Sequence, residues 1–438
     1  MTTSFDDMDL KFMRRALQLA KRGYGRVSPN PMVGAVLTRR DSIIGEGWHK
    51  KAGEAHAEVA ALNDAKQRKN RVNDATLYVT LEPCSTTGRT PPCTRAILDA
   101  GIKRVVVACL DPNPKHAGRG IALLESAGLK VTSGVLEDKA MALNHSFFHW
   151  IQHHRPWVTI KAAMTLDGKI ATASGESKWI TGTEARRHAM KLRFGMDAML
   201  VGIETVLMDD PSLTVRLGTS TQPSKPLLRL VLDSKARIPL DSKLVTDPWN
   251  QWTRVVISQS APRKRVKLLQ EKVKVWESPN SGHIDLNWLL LQLGAENVTS
   301  LLVEGGGKVN AGFFEQQLVH AVAFYYAPKV LGGEHSRRAV SGRGAKTLQE
   351  AIRLKNASWK KVGQDLVMQA LVNKSKERKF KSTAQASRSL GVFATIPPVL
   401  ANQKAGPIPP PKKNPYATPQ ATAPHGIPME ACNHDPMK

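Results

Sequence analysis

Residues 56–58, HAE, and 83–93, PCSTTGRTPPC, decide how the first half of this chain folds and what it can do. They bring together one imidazole (His56), two thiols (Cys84 and Cys93) and one carboxylate (Glu58). Three protein ligands and an open fourth position for water are the pattern of a catalytic zinc, whereas a structural zinc is closed by four. His56, Cys84 and Cys93 are therefore the candidate ligands of Zn2+. Glu58 is the candidate catalytic acid/base, taking a proton from water and passing it to a leaving amine. Two thiolates and a neutral imidazole cancel the charge of the dication, which lets a coordinated water approach a pKa of ~7.

Residues two apart point to nearly opposite sides of a helix interior. His56 and Glu58 can share one site only where a helix N-terminus faces it, and Gly53-Glu54 predicts a start there. Pro91-Pro92 predicts a second helix start at Cys93, easing its ionisation. His-x-Glu followed by Pro-Cys and a further Cys is the signature of zinc deaminases of nucleobases. Here eight residues, rather than two, separate the thiols. Buried cysteines near a core histidine are the competing reading, and the full set of motif residues outweighs it. Cys109, on an apolar run, and Cys432, near the C-terminus, read as structural.

Outward from this site, Met8, Phe12, Ala16, Leu17 and Ala20 keep helical spacing up to Gly23. Residues 32–38 and 42–48 read as a hairpin. Then come a helix near His56, a strand over 76–81, a helix after Cys93, a strand over 104–109 and a helix after Gly118. Such alternation predicts an α/β/α sandwich with its site at strand ends. Residues 136–155 predict one helix leading out, with His145, His149 and His153 on a surface or interdomain face. A second α/β pattern follows: a strand over 157–164, a helix over 183–194, strands at 197–202, 227–233, 254–258 and 298–304, and a closing strand over 365–372. Glu304-Gly305-Gly306-Gly307 ends a strand and opens a helix through Gly312, which suits either a cofactor phosphate or a tight turn. The Pro-, Ala- and Lys-rich residues 375–438 predict a disordered tail.

The 438 residues suit two or three domains, and 41% hydrophobic content is enough to build them. Net charge is +26, of which the tail contributes +6 through nine Lys/Arg and three Asp/Glu. This raises nucleic acid, membrane surface or phosphorylated small molecules as partners. No apolar run approaches the ~20 residues that span a bilayer, and the acidic N-terminus lacks a signal peptide's basic and apolar regions. Four cysteines in such a chain make no disulfide framework, so a reducing, cytoplasmic location is expected.

Pro29-Asn30-Pro31-x-Val33-Gly34, Gly47-Trp48-His49, His56-Ala57-Glu58, Glu82-Pro83-Cys84, Gly88-Arg89-Thr90-Pro91-Pro92-Cys93 and Asp111-Pro112-Asn113-Pro114 resemble the bifunctional riboflavin-biosynthesis deaminase/reductases. So do Asp167-Gly168, Ser174-Gly175-Glu176-Ser177-x-Trp179-Ile180-Thr181, Asp209-Asp210-Pro211-x-Leu213-Thr214-x-Arg216 and Val303-Glu304-Gly305-Gly306, and the likeness spans roughly residues 8 to 372. The resemblance implies a cytidine-deaminase-like α/β/α domain (1–150), then a dihydrofolate-reductase-like α/β domain (151–374). The first would deaminate a diaminopyrimidinone carrying a phosphoribosylamino group. The second would use NADPH to reduce the ribosyl group to ribityl. Carried over by position, Asn30, His49, Arg89, Asp111 and Asn113 would bind the deaminase substrate. Ala163, Trp179, Thr205, Asp209, Ser234, Gly306, Gly307 and Gly312 would contact NADPH. Ser177, Arg193, Leu213, Arg216 and Glu304 would contact the reductase substrate. Thr86 stands where many members carry a histidine.

On this reading the partner is a phosphorylated pyrimidine, with no membrane and no specific nucleic acid, and the chain forms a homo-oligomer. A zinc-dependent nucleic-acid base deaminase with an accessory domain is the alternative, prompted by the basic charge. A regulatory protein with a dead site is a third, opposed by the presence of all four zinc-site residues.

Overall fold

The computed structural model describes residues 5–86, 91–114, 116–217 and 225–373; Arg89 and the expected tail, 375–438, lie outside the described residues. The first half contains α1 (Asp7–Ala20), β1 (Gly34–Arg39), β2 (Ser42–Trp48), α2 (Ala57–Gln67), β3 (Thr76–Val79), α3 (Cys93–Asp99), β4 (Arg104–Val107), α4 (Arg119–Ser126) and β5 (Lys130–Ser133). Its five-stranded sheet runs β2-β1-β3-β4-β5. Side chains alternate across the sheet at the period of two that a strand imposes. Ala35, Leu37, Leu77, Val79, Val105 and Val107 pack on Ala57 and Ala61 of α2 and Ile97 of α3. Val36, Tyr78 and Val106 pack on Phe12, Met13 and Ala16 of α1. The expected three-layer sandwich follows from that alternation.

Gly47 brings the site's helix into place. A Cβ there would collide with Ala57 O and Ala61 N, so only glycine lets the first turn of α2 lie directly on β2. The helix begins at Ala57 with His56 as its N-cap, where the sequence predicts a start. Residues 51–54 form a turn closed by the Glu54 N–H donating to Lys51 O at 3.0 Å.

Residues 136–155 are not one helix. They divide into α5 (Glu137–Leu143) and α6 (His145–His153). The break is at Asn144, which is 2% exposed. Its amide turns inward, accepting from Met32 N at 2.7 Å and donating to Met32 O at 2.9 Å. His145 and His149 lie at the junction between the halves, with His145 4.5 Å and His149 5.8 Å from the Trp157 ring and His149 4.2 Å from His320, centroid to centroid, while His153 is exposed.

The second half contains β6 (Trp157–Thr165), β7 (Lys169–Ala171), α7 (Thr183–Phe194), β8 (Ala198–Gly202), α8 (Ile203–Asp209), β9 (Leu228–Leu232), α9 (Lys243–Thr246) and β10 (Thr253–Ile257). It continues through α10 (Arg263–Gln270), β11 (Lys274–Glu277), α11 (Leu286–Ala295), β12 (Ser300–Val303), α12 (Gly307–Glu315), β13 (Ala321–Ala327), β14 (Arg337–Arg338), β15 (Leu354–Val362) and β16 (Asp365–Val372). The nine-stranded sheet runs β11-β10-β9-β8-β12-β6-β13-β16-β15. Neighbours from β11 to β13 are parallel, while β16 and β15 are antiparallel additions. The parallel strands are covered on both faces, which is why they read as nearly continuous apolar runs. The expected closing strand, β16, is internal; β15 forms the edge. Among the described residues no helix is long and apolar enough to cross a membrane.

Candidate active sites

His56 caps the N-terminus of α2, Cys93 opens α3, and Cys84 lies in the loop after β3. The His56 Nδ1 is 3.2 Å from Cys93 Sγ and 3.6 Å from Cys84 Sγ. Ligands at zinc-bond lengths in a tetrahedron stand about 3.5 Å apart, and both separations from His56 are close to that. Among the described residues this trio is the one cluster arranged to hold a metal ion.

The bond from Cys93 and that of His56 hold the Cys84 thiol down at about 4, against the opposing effect of burial. The same bond to Cys84, with burial, pushes Cys93 up. Both thiols would ligate as thiolates, so a bound cation would displace their protons. The N–H at this helix start is directed to the other sulfur: the Cys93 N–H points at Cys84 Sγ, 3.3 Å away. Glu58, in the first turn of α2, is 3% exposed and outside the ligating trio. Burial pushes its carboxyl up to about 7.

His49 and Asn30 lie beside this cluster. The His49 Nδ1 is 3.1 Å from Ala55 O, a group that only accepts, so Nδ1 carries the proton and Nε2 accepts from Asn30 Nδ2 at 3.1 Å. Burial lowers the His49 pKa, keeping the ring neutral. Asp111 accepts from the Asn113 N–H at 2.9 Å, and burial raises its carboxyl.

Glu82 is a residue to which the sequence reading gave no role. It is 4% exposed and accepts from the backbone N–H groups of Asp111 (3.1 Å), Gly118 (2.9 Å) and Gly120 (2.8 Å). It fixes the loop that presents Asp111 and Asn113. The available signal was a carboxylate placed between an apolar strand and Pro83-Cys84, where burial demands donors.

The second half carries a cleft of about 1360 Å³. Ala163, Ser177, Trp179, Arg193, Thr205, Asp209, Leu213, Arg216, Glu304, Gly306 and Gly307 all line it. Ser234 and Gly312 do not: the Ser234 carbonyl accepts from Ser258, and Gly312 lies in α12 against Leu286. Arg193 is not on a solvated face. Its Nε and Nη2 donate to Glu304 at 2.7 and 2.8 Å, and Lys161, another lining residue the sequence reading missed, donates at 3.3 Å. Burial alone would raise the Glu304 carboxyl, but these two cations bring it down to about 2. Trp179 is not core. It is 64% exposed, with the Arg186 guanidinium 4.4 Å from its ring centre. Gly306 caps α12, and a side chain on Gly307 would collide with Arg338 O and Ser341 Oγ, so the cleft wall requires glycine where the helix N–H groups emerge.

Residues 6–109 match the family model described as the cytidine and deoxycytidylate deaminase zinc-binding region, and residues 156–368 match the RibD C-terminal domain. Riboflavin biosynthesis protein RibD of Actinobacillus pleuropneumoniae is 41% identical over 375 residues, 85% of this chain and 97% of that protein. The RibD of Escherichia coli K12 is 39% identical over 372 residues, covering 82% and 98%. Among solved structures, Acinetobacter baumannii RibD superposes with a TM-score of 0.75 at 36% identity, covering 84% of this chain and 99% of that one.

Proposed function

The chain belongs to the family of bifunctional riboflavin-biosynthesis deaminase/reductases, and we propose from that premise how its own residues divide the two reactions. The first reaction is zinc-dependent hydrolytic deamination of a phosphorylated diaminopyrimidinone. The second is NADPH-dependent reduction of its ribosyl side chain to ribityl. Residues 1–150 are assigned to the first and 151–374 to the second. The observation that carries the assignment is the pairing, in one chain, of a three-ligand cluster beside a buried carboxylate with a separate cationic, glycine-walled cleft.

His56, Cys84 and Cys93 would hold zinc, which when bound would supply a Lewis acid to make water nucleophilic near neutral pH. Glu58, outside the ligating trio yet adjoining it, accepts the water's proton and delivers it to the departing amine, which leaves as ammonia. Asn30, His49, Asp111 and Asn113 orient the ring, with Glu82 and the neutral His49 fixing their positions. Arg89 is assigned to the substrate phosphate on the family pattern alone.

NADPH, when bound in the cleft, would supply hydride to the carbon of the opened ribose. The N–H groups at Gly306 and Gly307 suit a cofactor phosphate, and Trp179, Thr205, Asp209 and Ala163 line its course. Ser177 is placed by Asp209, whose Oδ1 lies 3.5 Å from its hydroxyl. Arg193 is committed to Glu304, so Arg216 is assigned the substrate phosphate and the Lys161-Arg193-Glu304 group the ribosyl end. Family membership and the second cleft disfavour the nucleic-acid deaminase. We further assign the chain to a homo-oligomer, on its exposed β15 edge, and to the cytoplasm, where Cys84 and Cys93 stay reduced.

The test is incubation with the phosphorylated diaminopyrimidinone, with and without NADPH, following ammonia release and NADPH consumption separately. Ammonia should appear without NADPH, and NADPH should be consumed only after deamination. Glu58→Gln should retain zinc and still reduce the deaminated intermediate, but lose ~10²–10⁴-fold in deamination. Loss of zinc from that variant would make Glu58 a ligand instead. Deamination of an oligonucleotide, with the pyrimidine ignored, would overturn the reading as a whole.

A further inference from the structure

Asn30 sits in a short strap, Ser28-Pro29-Asn30-Pro31-Met32, that precedes β1 and belongs to no helix or strand. Both ends of the strap are fastened. At the far end, Met32 is held through its N–H and carbonyl by Asn144, at 2.7 and 2.9 Å. At the near end, the Ser28 hydroxyl donates at 2.7 Å to Asp197 Oδ2, a carboxylate of the second half, 169 residues away in sequence. That oxygen is itself fixed: it accepts from Thr299 N (2.9 Å), Thr299 Oγ1 (2.7 Å) and Ser300 N (3.2 Å) at the start of β12.

The neighbouring backbone is fitted as closely. A Cβ on Gly25, where φ is +71°, would meet the Phe194 carbonyl and ring, and one on Gly195 would meet the Tyr24 hydroxyl. Behind the strap lies a cavity of about 310 Å³ lined by Ser28, Asn30, Asn144 and Asp197 among others. Within the strap the Asn30 N–H donates to Val27 O at 2.9 Å, so this turn and the two end bonds together set its position. From Asn30 the line continues: its amide meets His49 Nε2 at 3.1 Å, and the His49 ring centre is 5.4 Å from that of His56.

We propose that Ser28 and Asp197 are positioning residues of the deaminase, so that the reductase half supplies the anchor that sets Asn30 against the pyrimidine ring. This rests on the assignment of Asn30 as a substrate contact. Substrate affinity at the zinc site then depends on a carboxylate outside the deaminase half, while metal binding does not. Ser28 touches neither substrate nor metal; its effect runs through Asn30.

The experiment compares Ser28→Ala, Asn30→Ala, the double variant and Ser28→Thr in the full chain. Zinc content, deaminase KM and kcat, and reductase KM for NADPH are measured in each. Ser28→Ala should raise the deaminase KM roughly tenfold, the loss expected for a hydrogen bond to a charged group, with zinc content and reductase KM unchanged. The double variant should be no worse than Asn30→Ala alone, and Ser28→Thr should restore the wild-type KM. A deaminase KM within about twofold of wild type in Ser28→Ala, while Asn30→Ala raises it, would overturn the proposal, as would multiplicative losses in the double variant. Asn30→Ala without effect on KM would instead overturn the assignment of Asn30 itself. Parallel loss of both reactions in Ser28→Ala would mark collapse of the junction and reject a positioning role.

Discussion

Glu304 shows how one buried carboxylate sets the charge of a cleft. Its side chain is 10% exposed, and those of Arg193 and Lys161 are 17% and 14% exposed. Two cations against one anion leave the site net positive, which favours a phosphorylated substrate. Removing the carboxylate would strand two buried cations, a situation that costs about 3–5 kcal/mol when a buried pair is broken. The same residue gives a pH dependence. Its folded pKa of about 2 lies below the ordinary value of ~4.3, so the native state favours the ionised form. Its contribution is therefore fully present above the unfolded pKa and is lost as pH falls from roughly 4.3 towards 2. Urea unfolding followed through a reductase-half tryptophan such as Trp276 should show wild type losing on the order of 1–3 kcal/mol more than Glu304→Gln between pH 6 and pH 3. Equal acid slopes for the two proteins would refute this account of Glu304.

At the scale of elements, β9 holds the loop that carries Leu213 and Arg216. Arg229 on β9 is 1% exposed; its Nη1 donates to Ser212 O at 2.9 Å, and its guanidinium grips Asp247 at 2.6 and 2.8 Å. Leu213 follows directly, at φ 48°, a conformation that a non-glycine residue holds only when its surroundings impose it. Lysine keeps the charge but not the planar fork. Arg229→Lys should therefore raise the reductase KM for substrate by about three- to tenfold and leave deamination untouched; an unchanged reductase KM would show that the loop holds itself. Such long-range arrangements explain what sequence conveys and what it withholds. The zinc trio and Glu58 are legible because their chemistry is written in two short motifs. The parallel strands are legible because burial on both faces leaves apolar runs. Asn144 breaks α5 from α6 only because Met32 is there to bond it, and Arg193 finds Glu304 across 111 residues, so neither pattern is local. β15, LKNASWKKV, shows no alternation because nearly every residue in it is exposed, and its place is set by pairing with β16. Ser234 and Gly312 came only from resemblance, with no local chemistry of their own to test them.

For the whole molecule, the exposed β15 edge and the charge of +26 act against each other. A free edge strand is a template for pairing, and nearby lie Leu348 (93% exposed), Trp359 (61%), Ile352 (48%) and Leu354 (38%). Lys355, Lys360 and Lys361 on the same strand repel indiscriminate partners, as edge lysines do. Self-association must therefore bury the apolar side chains while overcoming repulsion between two strongly basic copies. Salt screens that repulsion, so association through this edge should strengthen as ionic strength rises. Binding to nucleic acid driven by the same charge would weaken steeply over the same range. Light scattering coupled to size exclusion should show wild type as an oligomer, more fully formed at about 0.5 M salt than at about 0.05 M, where the Debye length is several-fold longer. Trp359→Glu should shift it to the monomer at both salts while leaving deamination intact, because Trp359 is an exposed side chain outside the zinc cluster whose ring lies beside Tyr326, 5.9 Å away between ring centres. A wild type that stays monomeric at high salt, or a Trp359→Glu protein that associates like wild type, would remove β15 as the contact surface and return the basic charge to a role in capturing phosphorylated substrate alone.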